Sequence, residues 1–132
     1  MPSASPAPER PVLIVDDDLD IRETLSDVLM DRGFEIITAA NGLEALKLLR
    51  STPLSPSVIL LDLMMPVMDG YGFLEEYNKD PALTAIPVAI ITAGHNVDRG
   101  RLGNDAPIVS KPIDVPKLLR ILQRLRSAGS SS

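Results

Sequence analysis

Residues 58–62 read Val-Ile-Leu-Leu-Asp, a continuous apolar run that breaks off in a carboxylate. The run is too short for a buried helix and mixes β-branched residues with leucine. It therefore fits an interior parallel strand covered on both faces. Pro66 and Gly70 punctuate the next segment, and an amphipathic pattern starts after it. Three further apolar runs break off in the same way. Residues 11–17 end in Asp16 and Asp17, residues 87–92 in Thr92, and residues 107–111 in Lys111. Residues 34–39 alternate in part and supply one more strand, which ends in Ala39-Ala40 and contributes nothing polar.

Helical patterns fill the intervals. Asp18 is placed to cap a first helix, with Asp20 and Glu23 in its first turn favouring the dipole. Ile21, Leu25, Val28 and Leu29 fall on one face, and Gly33 is a C-terminal stop. Asn41-Gly42 opens a second helix, to about Arg50, with Ala45, Leu46 and Leu49 inward. A third carries Phe73, Leu74 and Tyr77 from Asp69-Gly70 to a stop at Asp80-Pro81. Residues 95–103 are weakly patterned and support a short, marginal helix at most. Asp114 caps a last helix with Val115, Leu118, Leu119, Leu122 and Leu125 inward, which leaves Ile121 as a surface hydrophobe.

Strand and helix thus alternate five times. That implies an α/β protein with a doubly wound, five-stranded parallel sheet and right-handed crossovers, helices on both faces, and the flavodoxin-like order 2-1-3-4-5. In such a sheet the carboxyl ends of strands one, three, four and five bring Asp16, Asp17, Asp62, Thr92 and Lys111 to one rim. Crowded carboxylates repel, and a hard divalent cation relieves them; Mg²⁺ takes oxygen ligands and keeps several waters. Asp17 and Asp62 are expected as direct ligands and Asp16 through water. Lys111 and Thr92 then face an open side suited to phosphoryl oxygens.

Four motifs in order carry a resemblance: Val15-Asp16-Asp17-Asp18, Leu61 to Gly70 (Leu-Asp-Leu-Met-Met-Pro-Val-Met-Asp-Gly), Thr92-Ala93 and Lys111-Pro112. Together they resemble the response-regulator receiver domain of two-component systems, from about Pro11 to Arg126. The resemblance implies that Asp62 accepts a phosphoryl group from a sensor histidine kinase or phosphotransfer protein. It implies Mg²⁺ held by Asp17, Asp62 and the Met64 backbone carbonyl. Thr92, Lys111 and the Ala93 backbone N–H would bind the phosphoryl group, and the Lys111-Pro112 peptide would be cis. One departure stands out. Many receivers carry an aromatic residue three positions before the Lys, and here that position is Ile108. Coupling must then run through backbone or aliphatic packing. The stretch from Thr92 to Lys111 is also short, which points to mobility near residues 100–104.

Composition removes other classes. No Cys and one His exclude cysteine chemistry and histidine-cluster zinc sites. The net charge of -5 argues against a nucleic-acid surface. No apolar run is long enough for a membrane span, so a cytoplasmic location is expected. Residues 1–10 and 127–132 read as disordered tails around one domain, 11–126. The expected role is a stand-alone signalling domain with a protein effector and no separate substrate turnover. The alternative is a phosphorylation-independent interaction module on the same fold. An aspartyl phosphatase would want an acid two residues after Asp62, where Met64 stands. A nucleotide site would want a glycine-rich loop after the first strand. Asp69 and Gly70 read as structural, Met64, Met65 and Met68 as gap-filling contacts around the loop, and His95 as an exposed loop residue.

Overall fold

The computed structural model describes residues 10–51, 55–93, 97–102 and 106–130. His95 and residues 103–104 lie outside them, as do residues 1–9. The elements run β1 (Val12–Val15), α1 (Leu19–Asp31), β2 (Ile36–Ala39), α2 (Gly42–Ser51), β3 (Val58–Asp62), α3 (Gly70–Lys79), α4 (Pro81–Thr84), β4 (Val88–Thr92), α5 (Arg99–Leu102), β5 (Ile108–Ser110) and α6 (Val115–Ser130). The strands form one sheet in the order β2-β1-β3-β4-β5, and every pairing is parallel. This is the expected doubly wound α/β architecture.

The apolar strands have no solvent face because successive side chains feed two cores. Leu13, Val15, Ile59, Leu61, Val88 and Ile90 enter one core with Ala45 and Leu46 of α2, Phe73, Leu74 and Tyr77 of α3, Leu83 of α4 and Leu102 of α5. Val12, Ile14, Val58, Leu60, Ala89 and Ile91 enter the other with Leu25 and Leu29 of α1 and Leu118, Ile121 and Leu122 of α6. Each fully buried aliphatic side chain contributes about 1.5–3 kcal/mol. Among the described residues, no helix is long and apolar enough to cross a membrane.

The helix ends follow from local chemistry. Asp18 Oδ1 accepts from the N–H groups of Asp20 and Ile21, satisfying two donors that a helix start leaves open. Gly33, at φ 91°, closes α1. Its N–H donates to the Met30 carbonyl, and the Phe34 N–H donates to the Leu29 carbonyl, the paired bonds of a Schellman stop. Asn41 and Glu44 cap α2 reciprocally: Asn41 Oδ1 accepts from Glu44 N–H, and Glu44 Oε1 accepts from Ala40 N–H.

Three details differ from the sequence reading. Pro81 does stop α3, but it also starts the extra helix α4, where its fixed φ suits the first position and Asp80 caps it. Ile121 is buried at 6% exposure. The inward face of α6 is centred on Leu118, Ile121 and Leu122, and Leu119 is half-buried at its margin. The backbone of α6 continues to Ser130, four residues past the expected domain end, because an anchored helix extends at one hydrogen bond per residue.

Candidate functional site

The register sets the rim. Val15 pairs with Leu61 and Asp62 with Ile91, so Asp16 and Asp62 emerge level at the ends of adjacent strands. Thr92 ends β4, paired with Ser110, and Lys111 follows directly. The Lys111 N–H donates to the Thr92 carbonyl at 3.0 Å, which carries the pairing one residue beyond β5. The Lys111-Pro112 peptide is cis, as the resemblance implies.

Asp16, Asp62 and Thr92 are buried, at 2%, 4% and 1% exposure, whereas Asp17 is exposed. One carboxylate oxygen from each of Asp16, Asp17 and Asp62 lies within 4.8 Å of the others. Asp16 Oδ1 accepts from the Asp18 N–H at 2.9 Å, and the Asp16 carbonyl accepts from Arg22 Nη1 at 2.7 Å. Lys111 Nζ reaches Asp16 Oδ2 at 2.9 Å and Asp62 Oδ2 at 3.3 Å. The other Asp62 oxygen, Oδ1, accepts from the Met64 N–H at 3.2 Å.

Charge explains why the group is held so closely. Burial raises the pKa of Asp62, and the Asp16 charge adds to that. The Met64 N–H and Lys111 pull it down without cancelling the rise. Burial by itself lowers the pKa of Lys111. The hydrogen bond to Asp16 and the charges of Asp62 and Asp16 outweigh it, so the ammonium is held above its ordinary range.

The β3–α3 connection is built tightly beneath Asp62. Gly70 N–H donates to the Leu63 carbonyl, and a Cβ at Gly70 would sit 2.6 Å from the Asp62 carbonyl oxygen. Asp69 caps α3 by accepting from the Gly72 N–H at 2.8 Å. Val67 sits at φ 67°, flanked by a Met68 N–H to Pro66 carbonyl bond of 2.7 Å, the mark of a γ-turn. The loop is latched to α2, because the Met68 carbonyl accepts from the Gly42 N–H. Met65 and Met68 pack against the core as expected, whereas Met64, expected to pack with them, is 66% exposed because it lies past the buried end of β3 at the open rim. Ala93 is exposed at the rim beside Thr92.

Sequence reasoning missed two residues, one that braces this rim and one that anchors α5. Arg22 is one, through the Asp16 carbonyl. Its signal was a cation one turn into an acidic helix start. Tyr71 is the other. Its hydroxyl accepts from the Asp98 N–H at 2.9 Å, and the Arg101 guanidinium lies 4.5 Å from its ring centre. Arg101 also reaches Glu75 at 3.2 Å, so α5 is moored to α3. Ile108, which stands where the resemblance led one to look for an aromatic residue, is half-buried against the core.

The donor set is all carboxylate oxygen, with buried like charges facing one another. That suits a small hard cation such as Mg²⁺ and not a soft one.

Comparison with known proteins agrees with this geometry. The family model described as response regulator receiver domain matches residues 12–123. The probable transcriptional regulator ycf27 of Porphyra purpurea is 40% identical over 122 residues, 89% of this chain and 48% of that protein. The response regulator Rre1 of Synechocystis is 34% identical over 126 residues, 92% of this chain and 53% of that protein. The chain thus spans about half the length of these curated relatives. Among solved structures, the chemotaxis protein CheY4 of Vibrio cholerae has a TM-score of 0.78 at 32% identity, covering 89% of this chain and 98% of that one. The receiver domain of the Francisella response regulator 1452 has a TM-score of 0.79 at 26% identity, covering 91% and 98%.

Proposed function

The chain belongs to the response regulator receiver domain family, and from that premise we propose that Asp62 is its phosphoacceptor. The donor is a phosphohistidine on a sensor kinase or phosphotransfer protein in the cytoplasm. The observation that carries the reading is Asp62 itself. It is a buried carboxylate with one oxygen on the Met64 N–H, the other beside Lys111, and Asp16 and Asp17 within 4.8 Å.

In the transfer, a lone pair on an Asp62 oxygen forms the P–O bond as the P–N bond to the donor imidazole breaks. The electron pair returns to the imidazole nitrogen, which takes up a proton. Asp17 and Asp62, with Asp16 behind them and the Met64 carbonyl beside them, would hold Mg²⁺. The bound cation would offset the charge on carboxylate and phosphoryl oxygens. Burial favours the neutral form of Asp62, so Lys111 and the Met64 N–H serve to keep its nucleophilic carboxylate ionised. Transfer of this kind needs positioning and charge neutralisation more than covalent help, and this rim is built for both.

The acyl phosphate adds about -1.5 to -2 of charge. Lys111 then turns from Asp62 toward the phosphoryl oxygens, with the Thr92 hydroxyl and the Ala93 N–H as further donors. The moorings of the β3–α3 loop and of α5 adjust, and that change is what an effector protein reads. No separate substrate is turned over.

The test uses phosphoramidate, whose P–N bond stands in for phosphohistidine. With Mg²⁺, ³¹P NMR should show an acyl phosphate on the protein, and chelation should abolish it. Absence of the signal at saturating donor and Mg²⁺ would refute the reading and favour a phosphorylation-independent role.

A further inference from the structure

Arg22 stands apart from the residues that react. It lies in α1, six positions beyond Asp16, and is half-buried. Its Nη1 donates to the Asp16 carbonyl at 2.7 Å, so a cation is spent on a backbone oxygen at the point where β1 turns into α1. Asp16 itself is fixed at two other atoms: its Oδ1 accepts from the Asp18 N–H and its Oδ2 from Lys111 Nζ. Asp17 lies between these anchors, and its carboxylate has to meet Asp62 across the rim. Because the contact is to a backbone oxygen, Arg22 acts on the placement of the backbone.

We propose that Arg22 is the positioning residue of the cation site: by clamping the Asp16 carbonyl it fixes the β1–α1 turn and so sets where Asp17 presents its carboxylate. This rests on the reading of Asp17 and Asp62 as cation ligands. An outer partner that orients a ligand in this way is typically worth about 10–100-fold in metal affinity. A guanidinium suits the task because its planar, rigid donors lose little freedom when held, whereas an ammonium on a flexible stem holds less firmly.

The experiment titrates Mg²⁺ into wild-type, Arg22→Gln and Arg22→Lys proteins, following backbone amide NMR signals of Asp17 and Asp18, with thermal melting in parallel. Arg22→Gln should weaken Mg²⁺ binding by about tenfold or more while the protein stays folded. Arg22→Lys should recover part of the loss. Without Mg²⁺, the Asp17 and Asp18 amides of Arg22→Gln should exchange faster than in wild type, with β1 and β3 amides unchanged. Affinity within twofold of wild type, or unchanged Asp17 and Asp18 exchange, would overturn the proposal. So would a uniform rise in exchange across the sheet, which marks a merely structural role. If wild-type protein shows no Mg²⁺ response at all, the cation reading of the rim fails, and the metal-free exchange still decides whether Arg22 holds the turn.

Discussion

Lys111 Nζ lies 3.3 Å from Asp62 Oδ2, on the oxygen that the Met64 N–H leaves open. The same ammonium lies 2.9 Å from Asp16, so one cation neutralises two buried acids. Removing it leaves both uncompensated. Lys111→Met should lower stability by roughly 3 kcal/mol, the usual cost of breaking a buried pair at one side. Mg²⁺ should restore a larger share of stability in this variant than in wild type, as read by thermal melting with and without the ion. Equal Mg²⁺ effects on the two proteins would mean that Lys111 and the cation do not serve the same charges.

Asp62 makes the opposite prediction. Its pKa is raised above the ordinary 3.8, with burial as the main cause. Between that value and the folded-state pKa the native state binds the extra proton, so stability falls as pH rises through this window. Asp62→Asn removes the cost and should stabilise the metal-free protein at pH 7 by roughly 0.5–2 kcal/mol, the common range for a single stabilising substitution. The gain should shrink as pH is lowered towards 4 and also on adding Mg²⁺. Denaturant unfolding across that pH range would check the sign, and a loss of stability at pH 7 would contradict it.

Gly70 and Val67 test the loop beneath Asp62 from two sides. A Cβ at Gly70 would meet the Asp62 carbonyl oxygen at 2.6 Å and Leu63 Cα at 2.7 Å, both backbone atoms that cannot swing away. Gly70→Ala should therefore cost at least about 2 kcal/mol, in the range of overpacking, and displace Asp62. Val67 is a β-branched residue at φ 67° and is 78% exposed, so it carries backbone strain without burial in return. Val67→Gly should stabilise the protein by roughly 1 kcal/mol. Melting temperatures of the two variants should move in opposite directions.

Helix α5 is four residues long, and Arg99, Gly100 and Arg101 are exposed, so its hydrogen bonds have little cover. Amides of Arg101 and Leu102 should exchange at least about tenfold faster than those of Leu25 and Leu29 in α1. Tyr71→Leu, which removes the acceptor for Asp98 N–H and the ring beneath Arg101, should speed them further. Similar protection of α5 and α1 would contradict this.

The rim was legible from sequence because strands announce their ends. A run such as Val58 to Leu61 has to stop where water begins, and the first polar residue after it marks the place. Four such stops, put in the order of a doubly wound sheet, brought Asp16, Asp62, Thr92 and Lys111 together. The clamps were not legible. Arg22 and Tyr71 act through backbone atoms of Asp16 and Asp98, and no periodicity encodes which carbonyl or N–H a long side chain will reach. Ile121 was misjudged for a related reason. An apolar stripe fixes the axis of a helix face but not its rotation, and on α6 packing against the sheet chose the Ile121 side over Leu119.

The proposed role of Asp62 as the nucleophile underlies every other role at this rim. Its most direct test is intact-mass spectrometry after incubation with acetyl phosphate and Mg²⁺, on wild-type protein and on Asp62→Ala. One phosphoryl group should appear on wild type, map to the peptide containing Asp62, and be absent from the variant. No labelling of wild type, or equal labelling of Asp62→Ala, would rule out Asp62 as the phosphoacceptor.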